Sequence, residues 1–313
     1  MEIEFGKKSN WMVKWLNLVR WPNLLIVILI FSVFRFNFLE PFNVATSLSG
    51  FQYFLLMFSV MSLMAGGNII NDVYDKTADR INKPGKNLIG VKIPEKRARI
   101  VYWALSIIGM LLGYFMGYTV GIGMLGGIHL IAFFLLWMYS TDFKHRLFLG
   151  NFVVALLSSL VIVCIVLFDV IPANQDMIRT GKYNNLLFIF LGYSIFAFVT
   201  TFIREIIKDA QDVKGDKRMG GKTLPVVASA KVVKISIVGL QILLALSLIA
   251  ITYYFRNSLS LVGYILVLII LPLILSTYSV ANAKGYENWG FASKLMKLVM
   301  IFGILSVVVF TYV

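Results

Sequence analysis

Nine apolar runs punctuate this 313-residue chain, near positions 21–38, 51–73, 99–118, 120–140, 148–170, 185–207, 233–255, 260–282 and 291–312, with clusters of charge between them. At about 1.5 Å per helical residue, each can cross a hydrocarbon layer about 30 Å thick. Backbone amides find no water there, so a spanning segment must be a helix or a strand of a closed barrel, and these runs exceed the length of a barrel strand. The expectation is an all-α fold, a polytopic membrane bundle of about nine transmembrane helices, in a single domain over 1–313. Composition agrees: 59% of residues are hydrophobic and 14% charged, too little polar surface for a soluble protein of this length.

The net charge is +14. Its basic residues flank apolar runs rather than forming a basic domain, so the expected partner is membrane lipid and not nucleic acid. The N-terminal segment and the loops near 74–98, 141–147, 208–232 and 283–290, with their helix ends, hold 25 of the 29 lysines and arginines. The opposite side holds Arg35, Arg179, Lys182 and Arg256. That asymmetry predicts an integral protein of the cell (inner) membrane with the N-terminus and charged loops cytoplasmic and the C-terminus outside. The first apolar run lacks a cleavable signal-peptide pattern. Cys164 lies in an apolar run and reads as packing, and two isolated histidines, His129 and His145, do not make a zinc site.

Two charged loops, 71–99 and 204–234, stand apart. The first opens with Asn68, Asn71, Asp72, Asp75 and Asp79 at i, i+3, i+4, i+7 and i+11, one face of a helix if the second span continues through them. The second carries Asp209, Asp212 and Asp216 at i, i+3 and i+7, again one face. Either stripe alone reads equally well as solvated surface. Paired, they would repel unless cations intervene, and a hard divalent ion with oxygen ligands suits them; Mg²⁺ binds a few carboxylates together with substrate phosphates. Arg80, Lys83, Lys208 and Lys222 lie close enough in sequence to neutralise the remaining phosphate charge. Asn23 and Asn68 sit in or beside apolar spans, where an amide serves either an interhelical hydrogen bond or a substrate. Tyr139 and Lys144 fit an interfacial belt or a site, and Gly66-Gly67 favour close helix packing.

These motifs resemble those of the UbiA superfamily of intramembrane prenyltransferases. Asn71-Asp72-x-x-Asp75-x-x-x-Asp79 is similar to its first signature and Asp209-x-x-Asp212-x-x-x-Asp216 to its second. Gly221-Lys222-Thr223-Leu224-Pro225 resembles its following tail, Arg20-Trp21-Pro22-Asn23 its entry to the first helix, and Tyr139 to Lys144 with Gly150-Asn151 its fourth-to-fifth helix segment. The resemblance implies a central cavity under a cytoplasmic polar cap, with Asn71, Asp75, Asp212 and Asp216 as the catalytic group in direct contact with Mg²⁺. Asp72, Asp79 and Asp209 would be further ligands or support them, and Tyr139, Lys144 and Arg204 would line the substrate site. Within the superfamily, Arg204-Glu205-Ile-Ile-Lys208-Asp209 with Asp212-x-x-Gly215-Asp216 looks most like the branch that makes digeranylgeranylglyceryl phosphate.

What this implies is transfer of a prenyl group, geranylgeranyl in that branch, from prenyl diphosphate to a lipophilic acceptor, geranylgeranylglyceryl phosphate in ether-lipid synthesis. No obligate protein partner is implied. Prenylation of an aromatic quinone precursor such as 4-hydroxybenzoate or a dihydroxynaphthoate, or of haem, would use the same metal site. A secondary transporter is the competing class, but transporters place ionisable residues near the bilayer midplane, whereas these carboxylates gather at one face.

Overall fold

The computed structural model describes residues 11–82 and 87–312. Among them nine helices are long and apolar enough to cross a membrane: α1 (Trp21–Leu39), α2 (Gly50–Tyr74), α3 (Glu95–Thr119), α4 (Gly123–Thr141), α5 (Leu149–Val170), α6 (Asn184–Arg218), α7 (Ala230–Tyr254), α8 (Leu259–Ala281) and α9 (Glu287–Phe310). Short helices at Trp11–Leu18, Lys76–Asn82, Gln175–Arg179 and Leu224–Val227 fill connections, and no strand forms among the described residues.

Local chemistry sets several of these ends. Pro22 occupies the first turn of α1, where its missing N–H leaves no helical bond unmade. Ser49 caps α2 through a reciprocal pair with Gln52: the Gln52 amide donates to Ser49 Oγ at 3.3 Å and the Ser49 amide to Gln52 Oε1 at 2.9 Å. Ser229 accepts from the Val232 amide and caps α7. In α8 a π-helical stretch, Ile265–Ile270, runs into Pro272, which cannot donate to the preceding turn.

Three boundaries differ from the sequence expectation. The chain does not pass from span to loop near 207: α6 runs 35 residues to Arg218. The segment from Arg204 onward is charged but built of good helix formers, so leaving the membrane does not end the helix. The second helix does not continue unbroken through the first stripe either. It stops at Tyr74 with Asp75 as its cap, and Lys76–Asn82 resumes the turn. Between α3 and α4 the chain reverses through Val120–Ile122, where Gly121 takes φ +76, so α4 begins at Gly123 and not 120.

Small residues bring the helices around the cavity together. A β-carbon on Gly67 would come within 2.7 Å of Leu136 in α4, and one on Gly66 within 3.0 Å of Ser106 in α3. The Gly66-Gly67 pair therefore serves packing, as expected. At the end of the bundle away from the aspartates, Phe31, Phe34, Phe38, Phe168 and Phe190 form a fully or almost fully buried aromatic core, with Phe34 stacked on Phe190 at 4.9 Å. Beside it Arg35 Nη1 lies 2.5 Å from the wholly buried Asp169 Oδ2, whose other oxygen accepts from the Leu48 amide at 2.8 Å. The pair joins the π-helical ends of α1 and α5. Removing one partner of such a pair costs about 3–5 kcal/mol, so this end of the bundle is closed firmly and the opposite end is left to hold the site.

Candidate active site

Both aspartate stripes line one cavity of about 650 Å³. Although α2 stops at Tyr74, the Asp75 amide still bonds the Asn71 carbonyl at 2.8 Å and the Asp79 amide the Asp75 carbonyl at 2.8 Å. The four-residue repeat thus carries through the kink, and Asn68, Asn71, Asp72, Asp75 and Asp79 all reach the cavity. Asp209, Asp212 and Asp216 reach it from the C-terminal end of α6. Deeper walls are apolar, from Ile30, Val60, Met64, Ala132, Leu157 and Val161.

The carboxylates are individually held. Arg20 adopts a left-handed backbone, φ +55, in the turn between Trp11–Leu18 and α1. The Asn68 amide pins that turn by donating to the Val19 carbonyl at 3.1 Å, and Arg20 Nη2 then meets Asp72 Oδ1 at 2.8 Å. Burial works against the guanidinium's charge, but Asp72 and then Tyr139 outweigh it, so Arg20 is held more basic than usual. Asp75 takes the Asn71 amide at 2.8 Å on one oxygen and the Lys144 ammonium on the other. Lys144 can come so close because a β-carbon at Gly150 would sit 2.7 Å from its Cα. Asn151 donates to Asp209 at 2.7 Å, and Thr223 Oγ1 to Asp216 at 3.5 Å. The Lys222 amide donates to the His145 carbonyl at 2.7 Å and ties that tail to the Lys144 turn. The His145 imidazole, burial first and the Lys144 charge second, titrates below its usual range.

Of the residues singled out from sequence, Asn23, Tyr139, Lys144, Arg204 and Lys208 also line the cavity. Arg80 and Lys222 do not: both side chains are exposed and neither reaches it. Arg80 sits on the outward face of the Lys76–Asn82 helix, and Lys222 in the connection after α6, so nearness in sequence does not bring either to the cavity. Lys83 lies outside the described residues. Both open amides have protein partners: Asn68 bonds the turn before α1, and Asn23 Oδ1 accepts from Lys297 Nζ of α9 at 3.0 Å. Sequence reasoning passed over Lys297 in α9, Glu205, which is shared by Arg204 at 3.3 Å and Lys208 at 2.8 Å, and His129, a buried cavity-lining imidazole. The charge count places Lys297 only at a helix end; a lysine eleven residues into a spanning helix, just before its longest apolar run, is the signal that could find it.

The donor set fits a hard cation. Asn71 Oδ1 is buried with no hydrogen-bond partner, because its amide nitrogen is committed to Asp75; an orphaned carbonyl oxygen of this kind is costly unless a ligand takes it. Among the described residues no three acidic or imidazole groups converge into a closed metal cluster. An open set of oxygens facing a cavity is what Mg²⁺ uses when phosphates complete its shell.

Comparison with known proteins identifies the family. The family model described as the UbiA prenyltransferase family matches residues 42–301. The digeranylgeranylglyceryl phosphate synthase of Methanosphaera stadtmanae is 33% identical over 260 residues, 82% of this chain and 87% of that protein. The enzyme of the same name from Sulfolobus acidocaldarius is 31% identical over 83% of this chain and 84% of its own length. A solved structure of a digeranylgeranylglyceryl phosphate synthase superposes with a TM-score of 0.60 at 25% identity, covering 96% of this chain and 98% of that one. A UbiA homolog from Archaeoglobus fulgidus, solved bound to GPP and Mg²⁺, shares the fold with a TM-score of 0.55 at 19% identity, covering 95% and 99%. The oxygen-lined cavity, the nine helices and these matches together make this chain a member of the UbiA prenyltransferase family.

Proposed function

We propose that this chain transfers a geranylgeranyl group from geranylgeranyl diphosphate to the free hydroxyl of geranylgeranylglyceryl phosphate, with Mg²⁺ as cofactor. The observation that carries the reading is two stripes of oxygen ligands converging on the mouth of a cavity whose floor is apolar. The names borne by the relatives from Methanosphaera and Sulfolobus support the choice of acceptor.

Asn71, Asp75, Asp212 and Asp216 would hold Mg²⁺ directly, with Asp79 beside them. Asp72 and Asp209, already bonded to Arg20 and Asn151, shape the stripes from behind. When bound, the metal supplies positive charge to the oxygens of the departing diphosphate. Lys144, held against Asp75 at the same mouth, offers an ammonium to a phosphate oxygen. The allylic C–O bond of the donor breaks with its electron pair leaving on the diphosphate. The apolar walls keep water from the allylic carbon meanwhile. The acceptor hydroxyl, held alongside, forms the new C–O bond, and its proton finds carboxylate or diphosphate oxygens in the same polar mouth.

The test is a transfer assay on detergent-purified protein with Mg²⁺ and labelled geranylgeranyl diphosphate, offering geranylgeranylglyceryl phosphate, 4-hydroxybenzoate and 1,4-dihydroxy-2-naphthoate in parallel. Label should move to the glyceryl phosphate alone and stop with EDTA. Transfer only to an aromatic acid would overturn the acceptor assignment, and EDTA-resistant transfer would overturn the metal.

A further inference from the structure

We propose that Arg204 and Lys297, with Asn23 between α1 and α9, form a seat for a phosphate monoester, separate from the aspartate stripes that take the donor's diphosphate. The proposal rests on the acceptor reading above and assigns the acceptor's headgroup to particular residues.

The register of α9 against α6 brings the two cations together. Ser306 Oγ lies 2.9 Å from Tyr193 Oη, a β-carbon at Gly303 would strike Phe196 at 2.0 Å, and one at Gly290 would meet Gln211 at 3.0 Å. These pairs run antiparallel in a single register, which puts Lys297 level with Ile203 and Arg204. Both cations line the cavity and act on one another electrostatically. Lys297 therefore lies near the level where α6 leaves the hydrocarbon, and a cation that lines a cavity from a spanning helix marks a ligand path by default.

Neither cation is fully engaged by the protein. Asn23 takes one of the three ammonium donors of Lys297. Arg204 gives one nitrogen to Glu205, while its Nε is buried without a partner. Around them Arg20, Arg204, Lys208 and Lys297 face three carboxylates: Asp72, Glu205 and Asp209. Four cations against three carboxylates leave the seat net positive by about one charge. A phosphate monoester, with three acceptor oxygens and about −1.5 to −2 charge near neutral pH, can take the unfilled donors of both cations at once, whereas a single carboxylate offers two oxygens. The seat is also displaced from the metal stripe: Arg204 precedes Asp212 by eight residues of α6, about 12 Å along the axis. A lipid phosphate held there keeps its own charge off the metal-bound diphosphate and leaves its free hydroxyl to lie between the two sites.

The test measures equilibrium binding to purified protein in EDTA, which removes the donor's metal, using geranylgeranylglyceryl phosphate and its dephosphorylated alcohol. Wild-type protein should prefer the phosphate, and Lys297→Gln or Arg204→Gln should lower that preference roughly ten- to hundredfold. Lys297→Arg should keep most of it, and Asp75→Ala should leave it intact while losing transfer. An undiminished preference in a Lys297→Gln protein with an unchanged thermal midpoint overturns the seat, as does equal weakening of phosphate and alcohol. If Lys297→Gln does not fold, Arg204→Gln decides by the same criteria. A wild type that prefers the phosphate lipid but transfers nothing to it supports the seat and overturns the acceptor assignment instead.

Discussion

Asp75 is gripped from two sides, by the Asn71 amide and the Lys144 ammonium, and its position at the kink after α2 is fixed by its own backbone bond to Asn71. Removing the carboxylate takes away a cavity oxygen without removing packing. Asp75→Ala and Asp212→Ala should each lower kcat roughly a hundred- to a thousandfold, the scale of losing one group that meets developing charge, with the protein still monodisperse in detergent. Near-normal turnover in either variant would remove the metal assignment. Lys144→Glu places a like charge against the diphosphate and should raise its KM at least about tenfold, measured at saturating acceptor; an unchanged KM would return Lys144 to a simple membrane-surface role. At this scale the aspartates were legible in the sequence because their three- and four-residue spacing is visible without any fold. The groups that hold them were not. Arg20 and Asp72 are 52 positions apart, Asn151 and Asp209 58, and Lys297 and Asn23 274, and only the bundle says which distant polar residues meet.

α6 explains how one helix serves two solvents. Its 35 residues span about 52 Å, roughly 20 Å more than the hydrocarbon layer. The surplus carries Arg204 to Asp216 into the polar cap without a break. Hydropathy marks where apolar side chains stop, near 207, and that is a boundary of the bilayer rather than of the helix. The sequence therefore placed the second stripe on a helical face correctly and the helix end too early. Continuity of the backbone is what keeps Asp209, Asp212 and Asp216 in phase with the cavity. Lys214 points outward, exposed, so it tests the backbone alone. Lys214→Pro should break the ladder at a cost of about 3 kcal/mol, shifting Asp216 off the cavity and abolishing transfer, while membrane insertion survives. Lys214→Ala should behave as wild type in both the transfer assay and the thermal midpoint. Retained activity in the proline variant would mean that the second stripe does not need to extend α6.

For the molecule as a whole, the number of spans was legible because nine apolar runs each meet the thickness of a bilayer, and the helices found agree. The cavity itself was not, since lipid-facing and cavity-facing apolar residues share one chemistry; Met64 and Val161 in its wall read no differently from residues on the outside. Orientation can be argued from charge. We infer that the face bearing both stripes is cytoplasmic, because it gathers 25 of the 29 basic residues and translocating them is disfavoured. It is also the face where a water-soluble diphosphate has to leave. The chain offers a low background for testing this, since its only cysteine, Cys164, is buried. Cysteine placed at Arg256, at the far end of α7, should react with a membrane-impermeant maleimide in intact cells. Cysteine at Lys284, between α8 and α9 on the stripe side, should react only after permeabilisation. The reverse pattern would put the aspartates outside, and the donor would then have to be delivered across the membrane before any transfer.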